Sequence, residues 1–117
     1  DLEMETDRNR LTQILTNLLT NAIKHTQEGF IRFGYKKTDG FVEFFIQDSG
    51  EGIPEDKVDS IFSRFVQLDD WGKGVGLGLA ICKGLVGQMQ GKIWATSKLG
   101  EGSVFFVSLP LIHLNNR

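Results

Sequence analysis

Three polar side chains on one stretch of the chain are the first candidates for chemistry. Asn17, Asn21 and Lys24 recur at i, i+4 and i+7, the spacing that sets residues on one stripe of a helix. A hard cation such as Mg²⁺ takes oxygen ligands and keeps several waters. An asparagine carbonyl together with phosphate oxygens is therefore a reasonable coordination set, with a lysine beside it to neutralise phosphate. The same residues would also serve as the solvated border of an amphipathic helix. Further on, Asp48, Gly50 and Gly52 form an Asp-x-Gly-x-Gly segment directly after an apolar, aromatic run. A carboxylate there accepts a hydrogen bond from an amino group, such as the one adenine carries. Bare glycine backbone lets a planar ring approach, although an ordinary turn has this composition too.

The stretch Gly72-Lys73-Gly74-Val75-Gly76-Leu77-Gly78-Leu79 runs into a helical pattern. Free N–H groups and the positive end of a helix suit a phosphate, and a mobile linker is the alternative. It is neither the dinucleotide fingerprint, because no strand precedes it in a βαβ unit, nor Walker A, because no Gly-Lys-Ser/Thr closes it. Gly100-Glu101-Gly102-Ser103 reads, alone, as a hairpin turn. Cys82 lies in an apolar helical stretch and reads as buried filler rather than a reactive thiol.

These residues need elements to hold them. Leu2, Met4 and Thr6 alternate with Glu3 and Glu5, which predicts the end of a strand, with Asp7 capping a helix after it. Leu11, Ile14, Leu15, Leu18, Leu19, Ala22 and Ile23 then recur at helical spacing as far as His25. Two β-rich runs, Phe30 to Lys37 and Phe41 to Asp48, flank Thr38-Asp39-Gly40 and predict a hairpin. Pro54 suits the start of a short helix reaching Phe62, and a polar loop with Trp71 follows from Gln67 to Gly76. A helix is expected over Leu77 to Met89, terminated by Gly91. A second hairpin pairs Lys92 to Ser97 with Ser103 to Leu109, leaving a frayed tail from Ile112. Hairpins favour antiparallel pairing, and the helices need an apolar surface to cover. The expectation is an α+β two-layer sandwich with a mixed, mostly antiparallel sheet and helices on one face.

Composition narrows the function classes. The 117 residues, 40% of them hydrophobic, suffice for one domain with one core. A net charge of −2 lacks the cationic field of nucleic-acid binding. No apolar run approaches the roughly 20 residues of a membrane-spanning helix, so direct membrane contact is not expected. The one cysteine cannot make an internal disulfide, which fits a reducing cytoplasm.

In order and separation, these elements resemble the nucleotide-binding boxes of sensor histidine kinases, within the superfamily that includes DNA gyrase and heat-shock chaperone ATPases. Asp7-x-x-Arg10-Leu11-x-Gln13-Ile14-Leu15-x-Asn17-Leu18-Leu19-x-Asn21-Ala22-Ile23-Lys24-His25-Thr26 resembles the asparagine box. Ile61-Phe62-Ser63-Arg64-Phe65 resembles the phenylalanine box, and Gly74-x-Gly76-Leu77-Gly78-Leu79 the glycine box that closes an ATP lid. Gly100, Gly102 and Ser103 resemble the last box. The resemblance implies a Bergerat-type fold that binds ATP and Mg²⁺. It makes Asn21 the metal ligand, Asn17 a support for the phosphate and metal region, and Lys24 a phosphate contact. It also places His25 beside adenine or ribose, Asp48 on the adenine amino group, and Gly50, Gly52, Ile53, Phe62, Gly74, Gly76, Leu77, Gly78 and Ser103 around the nucleotide.

One departure is Gln67, where many members carry a cation; Arg64 and Lys73 are the alternatives. Asn17 stands where gyrase-type and chaperone ATPases place a glutamate that activates water, and an amide cannot take that proton. The resemblance therefore implies phosphoryl transfer to a separate acceptor. Neither His25 nor His113 has the sequence context of that acceptor. Residues 1–117 are expected to be one catalytic domain, cut on its N-terminal side and monomeric. The expected partners are a histidine-bearing dimerisation domain of the same protein and a response regulator receiver domain. The domain would be cytoplasmic, with anchoring of its parent in the inner membrane left open. An anti-sigma-factor-type serine kinase and a non-catalytic nucleotide-binding module remain as alternatives.

Overall fold

The computed structural model describes the backbone at residues 2–62 and 75–110, and the side chains at 8–62 and 79–110. The elements run α1 (Leu2–Lys24), β1 (Ile31–Thr38), β2 (Phe41–Asp48), a 3₁₀ turn (Glu55–Ser60), α2 (Val75–Gln88), β3 (Lys92–Lys98) and β4 (Gly102–Pro110). The expected loop from Gln67, including Trp71, lies outside the described residues up to 74, and the expected frayed tail lies outside them entirely.

The first helix begins earlier than the alternation of its opening residues suggests. Leu2 to Thr6 is helix rather than strand, and Asp7 lies inside α1 rather than capping it. Leucine, glutamate and methionine are all strong helix formers. A period of two over five residues is too short a signal to override that preference. Within α1, Ile14, Leu18 and Ala22 are buried on one stripe while Ile23 is 64% exposed. A helix turns about 100° per residue, so Ile23 points away from the stripe that Ala22 completes.

On α2, Leu79, Cys82 and Val86 form the buried face, continued by Met89 just past its end. The helix ends in a Schellman arrangement: Gly91 N–H donates to the Val86 carbonyl at 2.9 Å and Gln90 N–H to the Gly87 carbonyl at 3.0 Å. The left-handed residue is Gln90, with φ of 62°, one position before the expected terminator Gly91.

The four strands lie in the order β1-β2-β4-β3, and all three described pairings are antiparallel. Register fixes what faces the helices. Ile46 pairs with Phe105, which pairs with Ala95, and Phe44 pairs with Val107, which pairs with Ile93. Together with Val42 and Leu109, these positions make the sheet side of the core against Ile14, Leu18 and the α2 face. The next row along the same face is polar: Asp48 pairs with Ser103, which pairs with Ser97. The sheet therefore passes from apolar core to a polar end at the residues expected to bind ligand.

Candidate functional site

The end of α1 is fastened to the segment after β2. His25 N–H closes the last helical turn on the Asn21 carbonyl at 3.2 Å, and the His25 carbonyl accepts Glu51 N–H at 3.3 Å. The His25 ring lies 2.6 Å from Glu51, Nδ1 to Oε2. Gly50 packs directly on the His25 carbonyl, and a Cβ there would also lie 2.9 Å from Thr26 Oγ1. That close approach, rather than a special φ, is what requires glycine. Asn21 is buried, and its Oδ1 has no hydrogen-bond partner among the described residues. Leaving a buried amide oxygen unmet costs about 1–3 kcal/mol, and the atom is open to a partner from outside the described residues. Lys24 is exposed on the last turn, where its charge also suits the helix C-terminus.

Asp48 sits at the polar end of β2, 6% exposed. Its Oδ1 accepts Gly50 N–H at 2.9 Å. Burial above all pushes its carboxyl above the ordinary value of 3.8; hydrogen bonds from the Gly50 and Ser103 backbone and the charge of His25 oppose the rise, and Glu51 adds to it. The carboxylate thus keeps accepting capacity in a partly dry setting, the property needed to read an amino group.

Two turns are stitched together around Asp48. Ile53 N–H donates to Ser97 Oγ at 2.7 Å, and Ser97 Oγ donates to the Gly102 carbonyl at 3.0 Å. Ser97 Oγ and Ser103 Oγ lie 2.7 Å apart, so the Ser103 hydroxyl serves as donor to it. Gly100 N–H donates to the Glu51 carbonyl at 2.8 Å, and Gly52 lies against the Lys98 backbone. The hairpin turn at Gly100 to Ser103, which carries little meaning alone, is a structural partner of the Asp48 segment. Ser97 and Glu51 belong to this assembly without having been expected there. Ser97 could be found only from the β3–β4 register, and nothing in local spacing marks Glu51 as the partner of His25.

The remaining expected residues lie deeper in the core or along α1 and α2. Ile53 is fully buried and Phe62 is 7% exposed. The Phe62 ring meets Phe105 edge-on at 6.0 Å and 81°, so both side chains stand in the core beneath the site. Asn17 is half-buried and hydrogen-bonds the Cys82 thiol; burial pushes that thiol up to about 11 despite this bond, which lowers it. Cys82 Sγ also donates to the Ile14 carbonyl at 3.7 Å. The lone cysteine is the buried filler expected of it. Gly76, Leu77 and Gly78 fall in the first turn of α2, which starts at Val75, two residues earlier than expected. Their backbone N–H groups are among those a helix leaves without intrahelical partners. The side chain of Leu77 lies outside the described residues, as do Gly74, Arg64, Gln67 and Lys73. Among the described residues, no group of three or more His, Cys, Asp or Glu could hold a metal ion, and no helix is long and apolar enough to cross a membrane.

A two-layer α+β domain with a buried, unmet asparagine on its first helix and an aspartate-anchored glycine turn at the sheet end defines a class of ATPase. The chain belongs to the histidine kinase-, DNA gyrase B- and HSP90-like ATPase family, whose model matches residues 6–113. Among curated relatives, the aerobic respiration control sensor protein ArcB of Escherichia coli (strain K12) is 42% identical over 110 residues, covering 89% of this chain and 14% of ArcB. Among solved structures, full-length ShkA in complex with AMPPNP superposes with a TM-score of 0.79 at 39% identity, over 86% of this chain and 21% of ShkA. The catalytic domain of the histidine kinase ThkA in a nucleotide-free form gives 0.76 at 36% identity, over 88% of this chain and 68% of that one. The chain thus spans a small part of the longer relatives it matches and resembles the catalytic ATP-binding domain of histidine kinases.

Proposed function

We propose that residues 1–117 are the ATP-binding catalytic domain of a longer sensor histidine kinase, which holds Mg²⁺-ATP at the end of α1 and gives its γ-phosphoryl group to a histidine on a separate dimerisation domain. A response regulator receiver domain is the next acceptor. The observation that carries this reading is Asn21: a buried amide oxygen with no partner among the described residues, one turn before the His25 that is tied to the Asp48 segment. An amide oxygen suits Mg²⁺, which accepts few protein ligands when phosphates supply the rest. When bound, the metal supplies charge neutralisation at the phosphates.

Within this site Asp48 would take the adenine amino group, with Gly50, Gly52 and Ser103 shaping the wall beside it. Lys24 is the cation of α1 available to phosphate, and the N-terminal amides of α2 around Gly76 and Gly78 suit phosphate oxygens. His25 orients the rim through Glu51. Asn17 offers no base to a water, and its bond to Cys82 holds it as a structural amide. Positioning and electrostatics then supply the catalysis, which favours transfer to a protein over hydrolysis.

Calorimetric titration of the chain with ATP, with and without Mg²⁺, tests the binding half. Saturable binding that strengthens with Mg²⁺ is expected; absence of heat at millimolar nucleotide refutes it. For transfer, the chain is mixed with a histidine-bearing helical hairpin of a homologous kinase and γ-labelled ATP. Acid-labile, base-stable label on the hairpin is expected, and label on serine would point instead to an anti-sigma-factor-type kinase.

A further inference from the structure

Consecutive strand residues point to opposite sides of a sheet, so the register sorts the side chains into two faces. The face of Val42, Ile46, Phe105 and Val107 meets α1, α2 and the 3₁₀ turn in the core. On an antiparallel sheet packed on one side, the other face ordinarily turns polar. Here it does not. Gly34, Phe45, Phe106 and Trp94 are level across β1, β2, β4 and β3, on the side away from the core cluster. Trp94, 37% exposed, stacks on Phe106 at 5.2 Å and 14°. Phe45 leans over Gly34, where a Cβ would come within 3.0 Å of its ring. Phe41 and Val104 extend the apolar surface on the same side.

This outer face is also cationic, in a chain whose net charge is −2. On the described strands it carries Arg32, Lys36, Lys92 and Lys98 against Glu43 as its one carboxylate. Lys36 reaches Glu43 at 4.0 Å, whereas Lys92 is exposed and takes part in no ion pair or hydrogen bond among the described residues. Lys36 and Lys92 stand at the two ends of one row, through Glu43 and Ser108, directly beside the aromatic row.

The shape of the row selects its occupant. Four strands about 4.8 Å apart set its ends about 14 Å from each other, the rise of about ten helical residues. A helix satisfies its own backbone, so it suits a face where the strand N–H and C=O groups are already paired. Rings stacked across neighbouring strands stand up from the sheet, while a platform for nucleic-acid bases presents flat rings. A second copy of the chain would set cations against cations.

We propose that the outer face of the sheet docks an acidic amphipathic helix of a partner protein, its apolar stripe along Phe45, Phe106 and Trp94 and its carboxylates toward Lys36 and Lys92. The apolar stripe supplies the affinity and the charges the selectivity. This surface lies on the far side of the sheet from α1 and does not rest on the nucleotide reading.

The test is a titration of the ¹⁵N-labelled chain with a capped helical peptide of about eighteen residues, carrying Leu at i, i+3, i+4 and i+7 and Glu and Ala elsewhere. One control replaces Glu by Lys, and another scrambles the Leu positions at constant composition. The acidic peptide is expected to shift the amides of Phe45, Phe106 and Trp94 together with the Trp94 indole, and the controls to bind at least about tenfold more weakly. Phe106→Thr should weaken the acidic peptide by at least about tenfold with nucleotide binding kept. Joint Lys36→Glu and Lys92→Glu substitution should turn the preference toward the lysine peptide, again with nucleotide binding kept. The proposal is overturned by equal response to all three peptides, by no response at millimolar peptide, or by shifts centred on Asn21 and Asp48. It is equally overturned if phosphatidylserine vesicles or single-stranded oligonucleotides shift the row while the acidic peptide does not, or if Phe106→Thr lowers the melting temperature but leaves peptide affinity unchanged.

Discussion

Gly102 packs its Cα against the main-chain carbonyl of Asp48, at a φ of 110°, leaving no room for a Cβ, which would also stand 3.0 Å from the Cα of Ser49. The pair locks the turn before β4 onto the end of β2, with the carboxylate of Asp48 held beside the Ser103 N–H. Gly102→Ala faces both the strained φ and the collision, and should destabilise the fold by about 1–3 kcal/mol. Thermal unfolding should show this loss together with weakened nucleotide binding. An unchanged melting temperature would mean that the two turns are not locked as described.

Asp48 gives a pH prediction whose sign follows from the direction of its shift. Burial raises its carboxyl above 3.8, so the folded chain holds a proton more tightly than the unfolded chain. That contribution to stability is absent above the raised value, grows as pH falls through it, and is complete below 3.8. Relative to Asp48→Asn, the parent should therefore gain melting temperature as pH falls across this window. Affinity for the adenine base should move the opposite way, because the protonated carboxyl loses accepting capacity. A difference between parent and variant that does not vary with pH would show that Asp48 does not titrate there.

Much of this arrangement is legible in the sequence because its signals are local. The apolar stripe of α1, the Thr38-Asp39-Gly40 turn and the aspartate-glycine segment all lie within short windows. What could not be read depends on distance along the chain. Ser97 enters the site only because Ser97 and Ser103 are level across two strands, and Glu51 only because it meets a histidine on α1. The opening residues failed for a different reason: Leu2 to Thr6 satisfy a strand period and a helix propensity together, and helix continuity wins. Gln90 takes the left-handed position that Gly91 would be expected to fill, while Gly91 lies against the Ser108 carbonyl, where a Cβ would collide.

Cys82 should behave as an inert thiol. With its thiol pushed up to about 11, roughly 0.1% is ionised at pH 8, against about a quarter of an ordinary cysteine. Labelling by a chromogenic disulfide reagent should be at least ~100-fold slower than for a free thiol and should accelerate on addition of denaturant. Fast labelling of the native chain would contradict both its burial and its contact with Asn17.

Gly84 lies in the middle of α2, and a Cβ there would meet nothing within 4 Å. Alanine is favoured over glycine in a helix interior by about 0.5–1 kcal/mol. Gly84→Ala should therefore raise stability by about that amount in denaturant unfolding, with nucleotide affinity unchanged. A loss of stability would show that the position is more crowded than the open space around it indicates.

Asn21 supplies the sharpest separation between ligand binding and folding. Its Oδ1 is buried without a partner among the described residues, so in the empty domain the atom works against folding, by about 1–3 kcal/mol. Asn21→Ala removes that penalty while losing some packing volume, so the ligand-free variant should melt within a few degrees of the parent. The parent alone should gain stability when ATP and Mg²⁺ are added together, because binding to the folded state shifts unfolding by mass action. The two effects oppose each other in one residue, which a purely structural asparagine would not produce. A variant that melts far below the parent without ligand would mark Asn21 as a core hydrogen-bonding residue instead, and one that keeps the full Mg²⁺-dependent gain would remove it from the metal site.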